Sequence, residues 1–155
     1  MTATTPVPTA LTTGHVGVNV VDLDRSLAFY RHVFGFELAA EGAEEGRRWA
    51  FLASGGRLLV TLWQQSEGRF SPSAPGLHHL SFEVASIDEV RATEARLREV
   101  EAEFVYEGIV PHAESASSGG IYFTDPDGTR LELYAPTGAE TGTAPSGTAP
   151  TCGFF

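Results

Sequence analysis

The chain has no lysine: all ten of its basic residues are arginine, which excludes Schiff-base chemistry on a lysine side chain. It has one cysteine, Cys152. An internal disulfide framework is thereby excluded, and a reducing, cytoplasmic setting is expected. No apolar run comes near the roughly 20 residues that a membrane-spanning helix needs. The opening "MTATTPVPTALTT" has neither a basic start nor an apolar stretch, so it does not read as a secretory signal. Acidic residues outnumber basic ones 20 to 10, for a formal charge of −10. That balance repels phosphate backbones and anionic lipid surfaces, so neither nucleic acid nor membrane is an expected partner. It mildly favours cationic ligands, although such acidity is more often a solubility device.

With 155 residues and 42% hydrophobic content, the chain can build one ordinary core. Residues 1–13 and 137–155 are rich in Thr, Ala, Gly and Pro and read as a disordered N-terminal tail and a flexible C-terminal tail. Phe154 and Phe155 are the exception, with the apolar area to dock on a subunit surface. A single domain over 14–136 remains.

Within it the sequence says the same thing twice. "GHVGVNV" alternates Val16, Val18 and Val20 with His15, Gly17 and Asn19, the period of a half-buried strand. "HLSFEV" repeats the pattern, with His79, Ser81 and Glu83 opposite Leu80, Phe82 and Val84. Each strand leads through an acidic turn into a helix. In the first, Asp24 is the expected N-cap, Leu27, Tyr30 and Phe34 recur at helical spacing, and Gly35 is the stop. In the second, Ser86 and Glu89 make a capping box. Hairpins follow, turning at Gly55–Gly56 in 47–63 and at "DPDG" in 119–136. Laid over each other, the halves put His15 on His79 and Thr61 on Glu132. The expected fold is α+β: two βαβββ modules, about 14–64 and 77–136, with the helices on one face of the sheets.

His15, His79 and Glu132 then share the face away from the helices. Two imidazoles and one carboxylate form a facial set with open positions, suited to Fe(II) or Mn(II), with Zn, Ni or Co also accommodated. A single strand histidine is more often a surface or satisfied core residue, and a glutamate after "DPDG" is more often solvated. His78 competes with His79, but its phase aims it toward the helices.

The His-led strand with "DLDRSLAFYRHVFGFEL", followed by "HHLSFEV" and "IYFTDPDGTRLELY", resembles the vicinal oxygen chelate superfamily, the group of glyoxalases, bleomycin-resistance proteins and extradiol dioxygenases. The resemblance spans about residues 14–136. It implies paired βαβββ modules curled into a partly open barrel around a divalent metal, with ligands drawn from His15, Thr61, His79 and Glu132. Thr61 stands where four-ligand glyoxalase-type lyases and isomerases carry Glu or Gln. The His, His, Glu set matches extradiol and fosfomycin-modifying enzymes, and a lysine-free chain fits the phosphonate-gripping branch poorly. Tyr122 falls at the position of an active-site tyrosine, and His112 resembles the second-module histidine of extradiol-type proteins. Thr61, Trp63, Asn19 and Ser81 would shape the pocket. A further histidine of full-length extradiol enzymes is absent, with Trp63 and Gln64 in its place.

The reading therefore leans to a metal-dependent enzyme, most like an extradiol dioxygenase, acting on a small molecule with vicinal oxygens. The alternatives are a bleomycin-resistance-type protein that sequesters a small molecule, a glyoxalase-type lyase or isomerase, and a degenerate member serving as an interaction unit. The family resemblance also implies a homodimer.

Overall fold

Alternating strands, each followed by a capped helix and a hairpin, produce the same unit twice. In the computed structural model, which describes residues 7–153, the first module runs β1 (Val16–Val20), α1 (Leu23–Phe34), β2 (Glu37–Glu44), β3 (Arg47–Ser54) and β4 (Arg57–Gln64). The second runs β5 (Leu80–Glu83), α2 (Ile87–Glu99), β6 (Val110–Pro111), β7 (Gly119–Thr124) and β8 (Arg130–Ala135). Each module forms a four-stranded sheet, in the orders β1-β4-β3-β2 and β5-β8-β7-β6. The first strand pairs parallel with the last, Val16 beside Val60 and Leu80 beside Leu131, while the hairpins pair antiparallel. His15 and His79 each sit one residue before their strand. The expectation for Phe154 and Phe155 lies outside the described residues. No helix among the described residues is long and apolar enough to cross a membrane.

The helix boundaries follow local chemistry. The N-cap of α1 is Asp22, not the expected Asp24: Asp22 has extended backbone and its carboxylate accepts from Arg25 N. Asp24 lies in the first turn, where its carboxylate meets Arg48 at 2.9 Å instead. Gly35 ends the helix at φ 68°, a left-handed conformation that glycine adopts without a Cβ penalty. The Ser86–Glu89 capping box of α2 is present with both of its hydrogen bonds.

One core serves both modules. Val18, Val20, Leu27, Tyr30, Leu52 and Leu62 of the first merge with Leu97, Ile121, Phe123, Leu131 and Leu133 of the second. Phe34 at the end of α1 crosses between them, its ring 5.0 Å from Phe82 and 6.1 Å from Phe123. Polar links join the modules as well: Tyr30 OH donates to Asp125 at 2.9 Å, Val21 N to Asp127 at 2.9 Å, and Arg25 pairs with Asp127.

β7 approaches β8 closely at Gly120. A Cβ on Gly120 would lie 1.9 Å from the Leu133 carbonyl oxygen. Gly120→Ala should therefore pry the two strands apart and cost about 3 kcal/mol, the upper end for overpacking. Urea unfolding measures it; a midpoint equal to that of the parent protein would refute the close approach.

Candidate functional site

The period of two in β8 decides which side chains meet. Leu131 and Leu133 are fully buried in the core, so Arg130, Glu132 and Tyr134 point to the opposite face. Register then sets Glu132 between Tyr122 on β7 and Ser81 on β5. The Glu132 carboxylate is only 3% exposed, and a charge so buried needs partners.

It has them, divided between its two oxygens. Oε1 accepts from His112 Nε2 at 2.6 Å and from Tyr122 OH at 3.1 Å. Oε2 lies 3.3 Å from His79 Nε2. The Ser81 side chain also hydrogen-bonds the carboxylate. Burial alone would raise the Glu132 carboxyl, but the His112, Ser81 and Tyr122 donors outweigh it and hold the group below its ordinary value. Burial pushes His79 down, only partly offset by Glu132, so its imidazole is neutral near pH 7. Burial, then the Glu132 charge, pushes the Tyr122 phenol far up, and it stays a hydrogen-bond donor.

The supporting contacts fix tautomers. Ser118 Oγ stands 2.8 Å from His112 Nδ1, and His112 N donates to Ser118 O at 3.0 Å. With Nε2 donating to Glu132, Nδ1 of a neutral His112 accepts from the serine hydroxyl. The His112 ring also packs 4.9 Å from that of Tyr134. His78 and His79 face each other Nδ1 to Nδ1 at 2.8 Å. Ser118 carried no sequence signal, because it lies outside any periodic segment.

The sequence candidates thus divide between two sheets. His79, His112, Tyr122, Glu132 and Ser81 come together on the second. Thr61, Trp63 and Asn19 lie on the first: Thr61 is 1% exposed and accepts from Trp63 Nε1 at 3.0 Å, and Asn19 Oδ1 accepts from Gln65. Beside them the rings of Trp49, Phe51 and Trp63 form an aromatic cluster. His15 is exposed and outside the Glu132 cluster. Among the described residues, no three His, Cys, Asp or Glu side chains are arranged around a common point to hold a metal ion. A cleft of about 550 Å³ between the halves is lined by Phe34 and Phe36 of the first module and by Phe82, Ala92, Thr93 and Arg96 of the second; it opens on the helix side of the sheets, and neither His15 nor Glu132 lines it.

Residues 12–133 match the profile of the Glyoxalase/Bleomycin resistance protein/Dioxygenase superfamily. The chain belongs to that superfamily. Among superfamily structures, a glyoxylase/bleomycin resistance protein/dioxygenase domain from Frankia sp. EAN1pec superposes with TM-score 0.72 at 25% identity, covering 82% of this chain and 98% of the other. The fosfomycin resistance protein FosX of Listeria monocytogenes, complexed with Mn(II) and sulfate, has the same fold: TM-score 0.61, 23% identity, 86% and 98% covered. A Bacillus subtilis protein named catechol-2,3-dioxygenase is 31% identical over 125 residues, 79% of this chain. The match spans only 40% of that relative's length.

Proposed function

We propose that the protein is a metal-dependent enzyme of this superfamily that acts on a small molecule with two neighbouring oxygens, most like an extradiol-type dioxygenase. The observation that carries the reading is the buried Glu132 carboxylate, with His79 on one oxygen and His112 and Tyr122 on the other. Its donor set suits a divalent cation: Oε2 and His79 Nε2, 3.3 Å apart, are both ligand atoms. His15 would complete the set, since it is the repeat equivalent of His79 and, like it, stands one residue before the first strand of its module. Fe(II) or Mn(II) fits two imidazoles and a carboxylate, and Zn, Ni or Co would also bind there.

Bound there, the ion would supply Lewis acidity to the two substrate oxygens. The chain's own groups do the rest. Ligation through His79 Nε2 requires the proton on Nδ1, where His78 Nδ1 at 2.8 Å accepts it and fixes the ring. His112 and Tyr122 hold Oε1, leaving Oε2 toward His79. In this reading His112 and Tyr122 would also be the groups that hydrogen-bond a bound enolate or catecholate. Trp63 and Thr61 of the first sheet would contribute pocket walls, with Asn19 and Ser81 at the rim. The reading includes a cytoplasmic homodimer, which sedimentation would test.

Elemental analysis of anaerobically purified protein, followed by oxygen uptake with catechols, tests the proposal. We expect one Fe or Mn per chain, lost in His15→Ala together with any turnover. Protein without stoichiometric metal, unchanged by His15→Ala, would sink it.

The aromatic cluster of Trp49, Phe51 and Trp63, in a chain of charge −10, favours a second reading: sequestration of a cationic aromatic molecule. Calorimetric titration with such a ligand separates the two. Affinity that survives chelator treatment supports sequestration, and affinity that vanishes supports the metalloenzyme.

A further inference from the structure

The superfamily match ends at residue 133, yet the chain beyond β8 is built into the candidate site. Composition gives residues 137–153 little to bury, and the segment is held by backbone geometry instead. Ala139 N donates to Ser117 O at 3.0 Å, and Glu114 N donates to Gly147 O at 2.7 Å. Ala139, Ala144 and Thr151 are buried. Gly142 passes so close to Pro111 that a Cβ there would lie 2.9 Å from the ring.

Its contacts converge on the residues that carry His112. Thr151 N donates to His112 O at 2.8 Å, and Thr151 Oγ1 donates to Pro111 O at 2.7 Å, fully buried. One residue on, Cys152 packs with Tyr106 against Val110 and Tyr122. Burial, then the charge of Glu132, pushes the Cys152 thiol up, which agrees with its place beside the cluster. His112 is therefore held twice: Ser118 holds its ring and Thr151 holds its backbone.

We propose that residues 137–153 form a strap over the second sheet, with Thr151 as the positioning residue that keeps His112 on Glu132 Oε1. The consequence for the site rests on the metalloenzyme reading: with Oε1 capped, a cation beside His79 meets a single carboxylate oxygen. The strap itself does not depend on that reading, and its test uses no metal.

Because Cys152 is the sole cysteine and is half-buried against Val110 and Tyr122, a rise in the rate of its reaction with a small disulfide reagent reports loosening of the strap in the full-length protein. Thr151→Val deletes one buried hydrogen bond and should speed that reaction about tenfold, while Thr151→Ser stays at the parent rate. Nitrogen-detected imidazole spectra give the second readout. The His112 signals should move in Thr151→Val and return in Thr151→Ser, with those of His32, remote from the strap, unchanged throughout. Gly142→Val, which would push the strap off Pro111 without touching Thr151, should reproduce both changes and serves if Thr151→Val does not fold. A folded Thr151→Val or Gly142→Val protein with the parent's Cys152 rate and unshifted His112 signals overturns the proposal.

Discussion

Glu132→Gln should weaken Mn(II) binding by more than about 100-fold, beyond the 10–100-fold that loss of an outer-shell partner brings. The substitution keeps shape and removes charge. It also replaces one acceptor oxygen by an NH2 donor in a place built for acceptors, since His112, Tyr122 and Ser81 all donate toward this group. Turned toward His112, the amide NH2 faces a donor; turned toward His79, it stands in place of the proposed ligand oxygen. Stability should fall by roughly 1.5–3 kcal/mol, the range for hydrogen bonds to a charged group. The pH dependence has a defined sign. Glu132 titrates below its ordinary 4.5 in the folded protein. Its stabilisation is therefore complete above that value and disappears as pH falls through the folded pKa. The Tm gap between parent and Glu132→Gln should accordingly narrow on acidification. Isothermal titration with Mn(II) decides the main point: an unchanged Kd would remove Glu132 from the metal set.

Regular elements announce themselves through period, and that is why the modules were legible. The valines of β1, the Leu80–Phe82 alternation of β5, the Ser86–Glu89 box and the glycine stop at Gly35 are local signals that tertiary contacts do not override. The displaced N-cap has an equally local cause. Two aspartates stand two residues apart, either could cap, and Arg48, distant in sequence, engages Asp24. The face of Glu132 could be read from its leucine neighbours, and the duplicated halves singled out His79. What periodicity could not place depends on loops. His112 follows a strand of two residues, so no alternation aims it, and its grip by Ser118 arises only after β6 and β7 pair. The strap is less legible still: its anchors are backbone groups and one threonine hydroxyl, which leave no compositional mark. The duplication also conceals an asymmetry. Thr61 and Glu132 are repeat equivalents, but the Thr61 hydroxyl is satisfied by Trp63, while Glu132 collects imidazoles. One sheet therefore presents aromatic surface and the other a charged cluster.

Asp125→Ala should be the most destabilising single change outside the site, at roughly 3–5 kcal/mol, because truncating a buried group strands every donor it served. Asp125 is 3% exposed. One oxygen accepts from Tyr30 OH at 2.9 Å, and the other accepts from the backbone N of Asp127 and of Thr129, each at 2.9 Å. The alanine variant leaves three donors without their acceptor and loosens the "DPDG" turn that starts β8. It also cuts a tie between the modules, since Tyr30 belongs to α1 of the first. Burial raises the Asp125 carboxyl despite the donors from Thr129, Tyr30 and Asp127, so ionisation is less favourable in the folded state than in water. A neutral amide should therefore substitute better than alanine: Asp125→Asn keeps an oxygen for the two backbone donors, and the Tyr30 hydroxyl can turn to accept from the amide. Tyr30→Phe, which removes the far partner and leaves the turn intact, should cost about 1 kcal/mol. Urea unfolding of the three variants gives the ranking Asp125→Ala, then Asp125→Asn, then Tyr30→Phe. Equal midpoints for Asp125→Ala and Tyr30→Phe would place all of the energy in the contact between modules and none in the turn.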